Sequence, residues 1–208
     1  MTFLARTACT VILIGLSAPS AWAAYVVDLT RVGANFVATG SGTIDLTDLH
    51  LATSFGQQAQ ISPVDGLILT GPATAQTDLY RGNINGPTSF GSEAGVSATS
   101  GSGDLVGVMG DSILLFVPHG YVSGATLSDT AIYSMGPSCD TQCVTPGVYK
   151  WSWGTGAHAD SFTLDASGLS AVPELSTWVM MLAGFAGLGL AAWIKGGAVR
   201  SAARCIGS

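Results

Sequence analysis

The sequence predicts an all-β fold: a single β-sandwich-like exported domain, flanked by a signal peptide and one C-terminal transmembrane helix. Three observations lead there. Between Tyr25 and Leu164 the chain breaks into short runs rich in β-branched and aromatic residues, punctuated by glycine and Pro-Gly. No amphipathic helical period of useful length interrupts them. Charged residues make up only 10% of the chain and glycine numbers 28, which disfavours helical bundles with charged outer faces; 48% apolar content supplies a core. With both ends set aside, about 150 residues remain, enough for one domain.

The expected strands are Tyr25–Leu29, Asn35–Thr39, Thr43–Leu46, Leu67–Thr70, Asp104–Met109, Ile113–Val117, Thr130–Tyr133, Val148–Trp153 and Asp160–Leu164. Gly91 to Gly103 is rich in Gly, Ser and Ala and reads as a mobile surface loop. In Val148–Trp153, period-two alternation places Tyr149, Trp151 and Trp153 on one face and Val148, Lys150 and Ser152 on the other. Such an aromatic row serves either as a platform for sugar rings or as the core face of the domain. A domain so poor in charge pairs needs the core, because three aromatic rings bury a large apolar area.

Charge excludes one class of partner. From residue 24 to 170 three bases (Arg31, Arg81, Lys150) face twelve acids, a net of −9 with no basic patch. Nucleic acid binding requires clustered Lys or Arg to neutralise phosphates, so it is not expected.

The residues point to no catalytic group, no metal site and no cofactor. Ser123, in Gly-Tyr-Val-Ser-Gly, misses the nucleophile-elbow spacing by one position, and Gly101 to Gly107 misses the dinucleotide fingerprint. His50, His119 and His158 are scattered in or near turns. Cys139 and Cys143 are expected to form a small disulfide loop in an oxidising compartment.

Both ends read as processing segments. Residues 1–23 have the order of a secretory signal peptide: Arg6, an apolar run from Val11 to Leu16, and Ala21-Trp22-Ala23 as an A-x-A site for signal peptidase. Cleavage there starts the mature chain at Ala24 or Tyr25. The exported domain covers 24–170, and the last segment, 171–204, comprises a motif at 172–178, a helix at 178–194 and a basic tail at 195–204. Trp178 to Ile194 is a 17-residue uncharged run, about 25 Å long as a helix, near the lower limit for a bilayer. Trp178 and Trp193 bracket it, and Lys195, Arg200 and Arg204 follow. The positive-inside rule puts that tail in the cytoplasm and the domain outside, giving a single-pass inner-membrane precursor.

Val172, Pro173, Glu174, Leu175, Ser176, Thr177 and Trp178, together with the run from Met180 to Leu190, closely resemble the PEP-CTERM sorting signal. Pro173 and Glu174 match its first two positions, and Ser176, Thr177 and Trp178 its usual continuation; Leu175 stands where the family has a second proline. Leu114 to Leu164 also looks like the domain commonly attached to such signals. The resemblance implies an exosortase-type processing enzyme as partner, delivery to the cell surface or extracellular matrix, and association with exopolysaccharide and biofilm. It carries no catalytic residue across, so a non-catalytic surface protein is expected. A carbohydrate-binding module would use an exposed Tyr149, Trp151 and Trp153 face. A secreted hydrolase would need two of the scattered acids or histidines to meet in a cleft.

Overall fold

The computed structural model describes residues 24–135 and 143–169. These form ten strands: β1 Ala24–Val32, β2 Asn35–Thr43, β3 Leu49–Ser62, β4 Leu67–Gly82, β5 Val96–Gly103, β6 Val106–Met109, β7 Leu114–Pro118, β8 Thr126–Ser134, β9 Val148–Trp153 and β10 Asp160–Asp165. Three single-turn 3-10 helices lie between or after them, at Pro63–Asp65, Gly156–His158 and Ser167–Leu169. The all-β expectation holds for these residues. The signal peptide, the sorting motif and the C-terminal helix lie outside the described residues.

The strands form one sheet in the order β6-β7-β4-β3-β5-β8-β2-β1-β10-β9, where a sandwich would have two separate sheets. The continuity comes from β5. Its first residues pair with β3 (Val96 with Ile61, Ser97 with Gln60), and from Ala98 onward it pairs with β8. The sheet curls enough for β4 to face β8, since the Tyr133 hydroxyl donates to the Leu69 carbonyl at 2.8 Å. Neighbours run antiparallel except β1 and β10, which pair in parallel from Ala24 opposite Ser161 to Asp28 opposite Asp165.

The core follows the alternation of the inner strands. Tyr25, Val27 and Leu29 point inward from β1, Leu127, Asp129, Ala131 and Tyr133 from β8, and Phe162 and Leu164 from β10. A chain of rings ties one end together: Tyr25 stacks on Phe162 with centroids 5.5 Å apart, Phe162 meets Trp151 at 5.9 Å, and Trp151 meets Phe90 at 6.4 Å. Pairs of this kind add about 0.5–1.5 kcal/mol each beyond the area they bury.

Tyr25 also crosses a strand. Its hydroxyl donates to Asp129 Oδ2 on β8, although β2 lies between β1 and β8. Gly40 on β2 makes the crossing possible: a Cβ there would lie 2.3 Å from the tyrosine oxygen and 2.7 Å from Asp129 Oδ1.

Three sequence expectations change. Gly91 to Gly103 is not a mobile loop, since Val96–Gly103 is the strand that joins the two halves of the sheet. Its small residues are there for close approach: a Cβ on Gly101 would sit 2.0 Å from the Gly71 carbonyl. The strands β3 and the second half of β4 were not expected at all; from His50 to Gly56 every β3 residue is exposed, so no alternation marks them. Finally, Thr43–Leu46 is a strand only at Thr43, and Ile113 occupies a turn with φ 57° ahead of β7.

Replacing Gly40 by alanine should cost about 2–3 kcal/mol by overpacking the Tyr25 crossing. Trp151→Ala should cost about 3–5 kcal/mol. Gly33→Ala, at φ 64° with open space around it, should cost only about 1 kcal/mol. Urea unfolding of the three variants checks the ranking.

Candidate functional site

A polar cleft of about 650 Å³ opens where the start of β1, the start of β10 and the outer face of β9 meet two loops. That size suits a small ligand. Its walls carry Asp48, Asn83, Asn85, Lys150, Ser152, Thr155, Asp160 and Ser161, with the edge of Trp153 at its base. Residues far apart in sequence arrive there by strand pairing. The parallel β1–β10 ladder sets Ala24 beside Ser161. The segment after β4 is held on β9 by two backbone bonds of 2.8 Å, Asn85 N–H to the Ser152 carbonyl and Ser152 N–H to the Asn85 carbonyl.

The loops are fixed by carboxylates. The Asp45 N–H donates to Asp160 Oδ2 at 2.5 Å, and the Ser161 N–H to Asp160 Oδ1 at 2.6 Å. The Thr155 N–H donates to Asp48 Oδ2 at 3.2 Å, and the Trp153 indole N–H to the Asp45 carbonyl at 2.8 Å. Gly154 sits at φ 70°, and a Cβ there would lie 2.1 Å from the His158 carbonyl, so only glycine makes this turn.

Two histidines meet acids, in an order unlike a nucleophilic triad. Asp45 is the hub of one group, with His158 Nδ1 at 3.0 Å and the Ser123 hydroxyl at 3.1 Å. Asp78 is the hub of the other, with His119 Nδ1 at 2.8 Å, the Ser54 hydroxyl at 2.6 Å and the Gly120 N–H at 2.9 Å. A triad needs the imidazole between serine and acid so that it can take the hydroxyl proton. Here serine and histidine both bind the acid. Among the described residues no three His, Cys, Asp or Glu side chains gather into a metal-binding group.

The aromatic row does not serve as a platform. Trp151 and Trp153 are 1% and 3% exposed, and the Trp151 indole N–H donates inward to the Pro87 carbonyl at 2.8 Å. Tyr149 is half-buried, with its hydroxyl donating to the Thr145 carbonyl. Buried ring faces have nothing to offer a sugar, so a saccharide would have to be met elsewhere. Cys143 is buried and disulfide-bonded; Cys139 lies outside the described residues, as do Ala21, Ala23 and the sorting residues Val172, Pro173, Glu174, Ser176, Thr177 and Trp178. Ala24 is the first residue of β1. The cleft residues were missed because they are scattered from Asp48 to Ser161 without a motif. The one hint in the sequence was Lys150, the only lysine of residues 24–170.

No protein-family model, curated protein or solved structure matches this chain.

Burial pushes the Asp129 and Asp160 carboxyls up from 3.8 to about 6, only partly offset by hydrogen bonds from Tyr25 and from the Asp45 and Ser161 amides respectively. Burial also acts to raise Asp45 and Asp78, but there the bonds from Thr47, His158 and Ser123, and from Ser54, His119 and Gly120, outweigh it and hold both carboxyls low. Acids with raised folded-state values bind protons more tightly in the folded protein. Their contribution to stability is present below about pH 4 and lost as the pH rises through about 6. Acids with lowered values contribute above about pH 4 and lose that contribution as the pH falls below it. Stability should therefore peak near pH 4–5 and decline toward pH 7. Urea midpoints across pH 3–8 check this, and Asp160→Asn should flatten the decline between pH 4 and 6.

Proposed function

We propose that the chain is an exported, non-catalytic protein of the cell surface or extracellular matrix. It is made as a membrane-anchored precursor, sorted through the PEP-CTERM-like signal at 171–204 and associated with exopolysaccharide. The observation that carries this reading is the order of segments in the sequence: the A-x-A site at Ala21-Trp22-Ala23, then the β-rich stretch, then the Pro173-Glu174 motif, the uncharged run and the basic tail. Between the two end segments lies the β domain, in which β1 pairs in parallel with β10 on one side and antiparallel with β2 on the other.

In this reading Pro173 keeps the recognition segment extended, because proline disfavours helix in the residue before it and lacks a backbone donor. Glu174 adds the charge that an exosortase-type enzyme reads. The uncharged run from Trp178 to Ile194 holds the precursor in the bilayer until it is processed.

The exported form should begin at Ala24 or Tyr25 by N-terminal sequencing. Replacing Pro173 and Glu174 together by alanine should leave export intact and make the full-length form accumulate in the inner membrane. Release of that variant at the parental rate, seen by fractionation and immunoblotting, would show that the motif is not the recognition element.

A further inference from the structure

The polar cleft has a chemistry that narrows what can occupy it. Its walls combine an acceptor, the Asp48 carboxylate, with the Lys150 ammonium as donor and with the Asn83 and Asn85 amides, which do both; the Asp160 carboxylate beside them is buried and holds two backbone amides. Asp48 keeps Oδ1 available while its Oδ2 takes the Thr155 N–H. The side chains of Asn83, Asn85 and Lys150 are all exposed, and the Lys150 charge acts on Asp160 in the same cleft. These groups stand on a rigid base, since Ser152 and Asn85 are locked to each other through their backbones and Asp160 is fastened by two amides.

Other ligand classes fit poorly. An anion would face two carboxylates in a domain of net charge −9. An apolar ligand would strip water from the Asp48 carboxylate, the Lys150 ammonium and the Asn83 and Asn85 amides without replacing it. A peptide could not add as a strand at Ser152, because its N–H and C=O are both used by Asn85. A hydroxyl group matches the exposed polar side chains of the wall, because it donates to the Asp48 carboxylate and accepts from the Lys150 ammonium and the amides.

We propose that this cleft binds a neutral, hydroxyl-rich saccharide segment, about two or three sugar units long. The proposal rests on reading the domain as a non-catalytic partner of exopolysaccharide, and it gives that association a site away from the aromatic row. Recognition comes from side-chain hydrogen bonds within the plane of the sugar rather than from ring stacking. Affinity for one short segment is modest and accumulates through many copies along a polymer.

The test is isothermal titration of the full chain, held in a detergent without a sugar headgroup, with three probes: cellotriose, chitotriose and trigalacturonate. At least one neutral trisaccharide should bind with a Kd below about 1 mM, and trigalacturonate should bind at least tenfold more weakly. The triple variant Asn83→Ala, Asn85→Ala, Lys150→Ala removes exposed side chains only. It should keep the parental unfolding midpoint and weaken binding at least tenfold, while Phe55→Ala on distant β3 leaves binding unchanged. Amide shifts on adding the sugar should centre on Ser152, Thr155 and Ser161. No binding by either neutral sugar, undiminished binding by the triple variant, or preferential binding of trigalacturonate would each overturn the proposal. None of these outcomes touches sorting, which is read by fractionation of the precursor.

Discussion

The fold depends on what Tyr25 is asked to do at the head of β1. Its ring stacks on Phe162 and so begins the aromatic chain that runs through Trp151 to Phe90. Its hydroxyl passes over Gly40 to reach Asp129 on β8. One side chain thus couples β1, β2, β8 and β10. The pair is also delicate. Asp129 is 3% exposed and its Oδ1 accepts no hydrogen bond, so its ionised form is held at a cost that the Tyr25 hydroxyl only partly offsets. The same burial that secures the strands therefore makes the core sensitive to pH.

Away from the core, carboxylates organise the loops. Asp45, Asp48, Asp78 and Asp160 each accept backbone or side-chain donors from segments distant in sequence. A domain with few bases cannot tie its loops by ion pairs with Lys or Arg, and it uses amide N–H and hydroxyl donors instead. Such bonds are directional, so they fix loop geometry as well as position. The cleft inherits this rigidity: its walls are loops, but the loops are fastened to strands, the usual placement of a binding surface on a stable scaffold.

The open edges of the sheet are handled differently, at the outer strand β9 and along the part of β3 that β5 does not reach. At the β9 edge the bridge between Asn85 and Ser152 and the Trp151 bond to Pro87 cap the strand. The β3–β4 pair is the opposite case. From His50 to Gly56 both faces of β3 meet solvent, with Leu51 and Phe55 among the exposed side chains, and register shifts interrupt the ladder on either side. Irregularities of this kind are a recognised way to blunt an open edge against unwanted pairing.

Where one face of a strand is buried, its sequence announced it. Tyr149, Trp151 and Trp153 alternate with Val148, Lys150 and Ser152 because a pleated strand with one side in the core must alternate. The strand positions of β1, β9 and β10 and the all-β class were legible for that reason. Strand β3 was not legible, because a ribbon exposed on both faces has no reason to alternate. Strand β5 was not, because its glycines answer to the Gly71 backbone across the core rather than to local conformation. The cleft lay furthest from the sequence. Asp48, Asn85, Lys150 and Asp160 belong to separate segments and share no spacing; they meet only because β1 pairs in parallel with β10 and the chain after β4 returns to bridge β9. Local pattern determined which one-face-buried segments are strands, since that depends on near neighbours. Pairing order alone decided which polar groups face one another, since that depends on contacts between segments that the chain order leaves far apart.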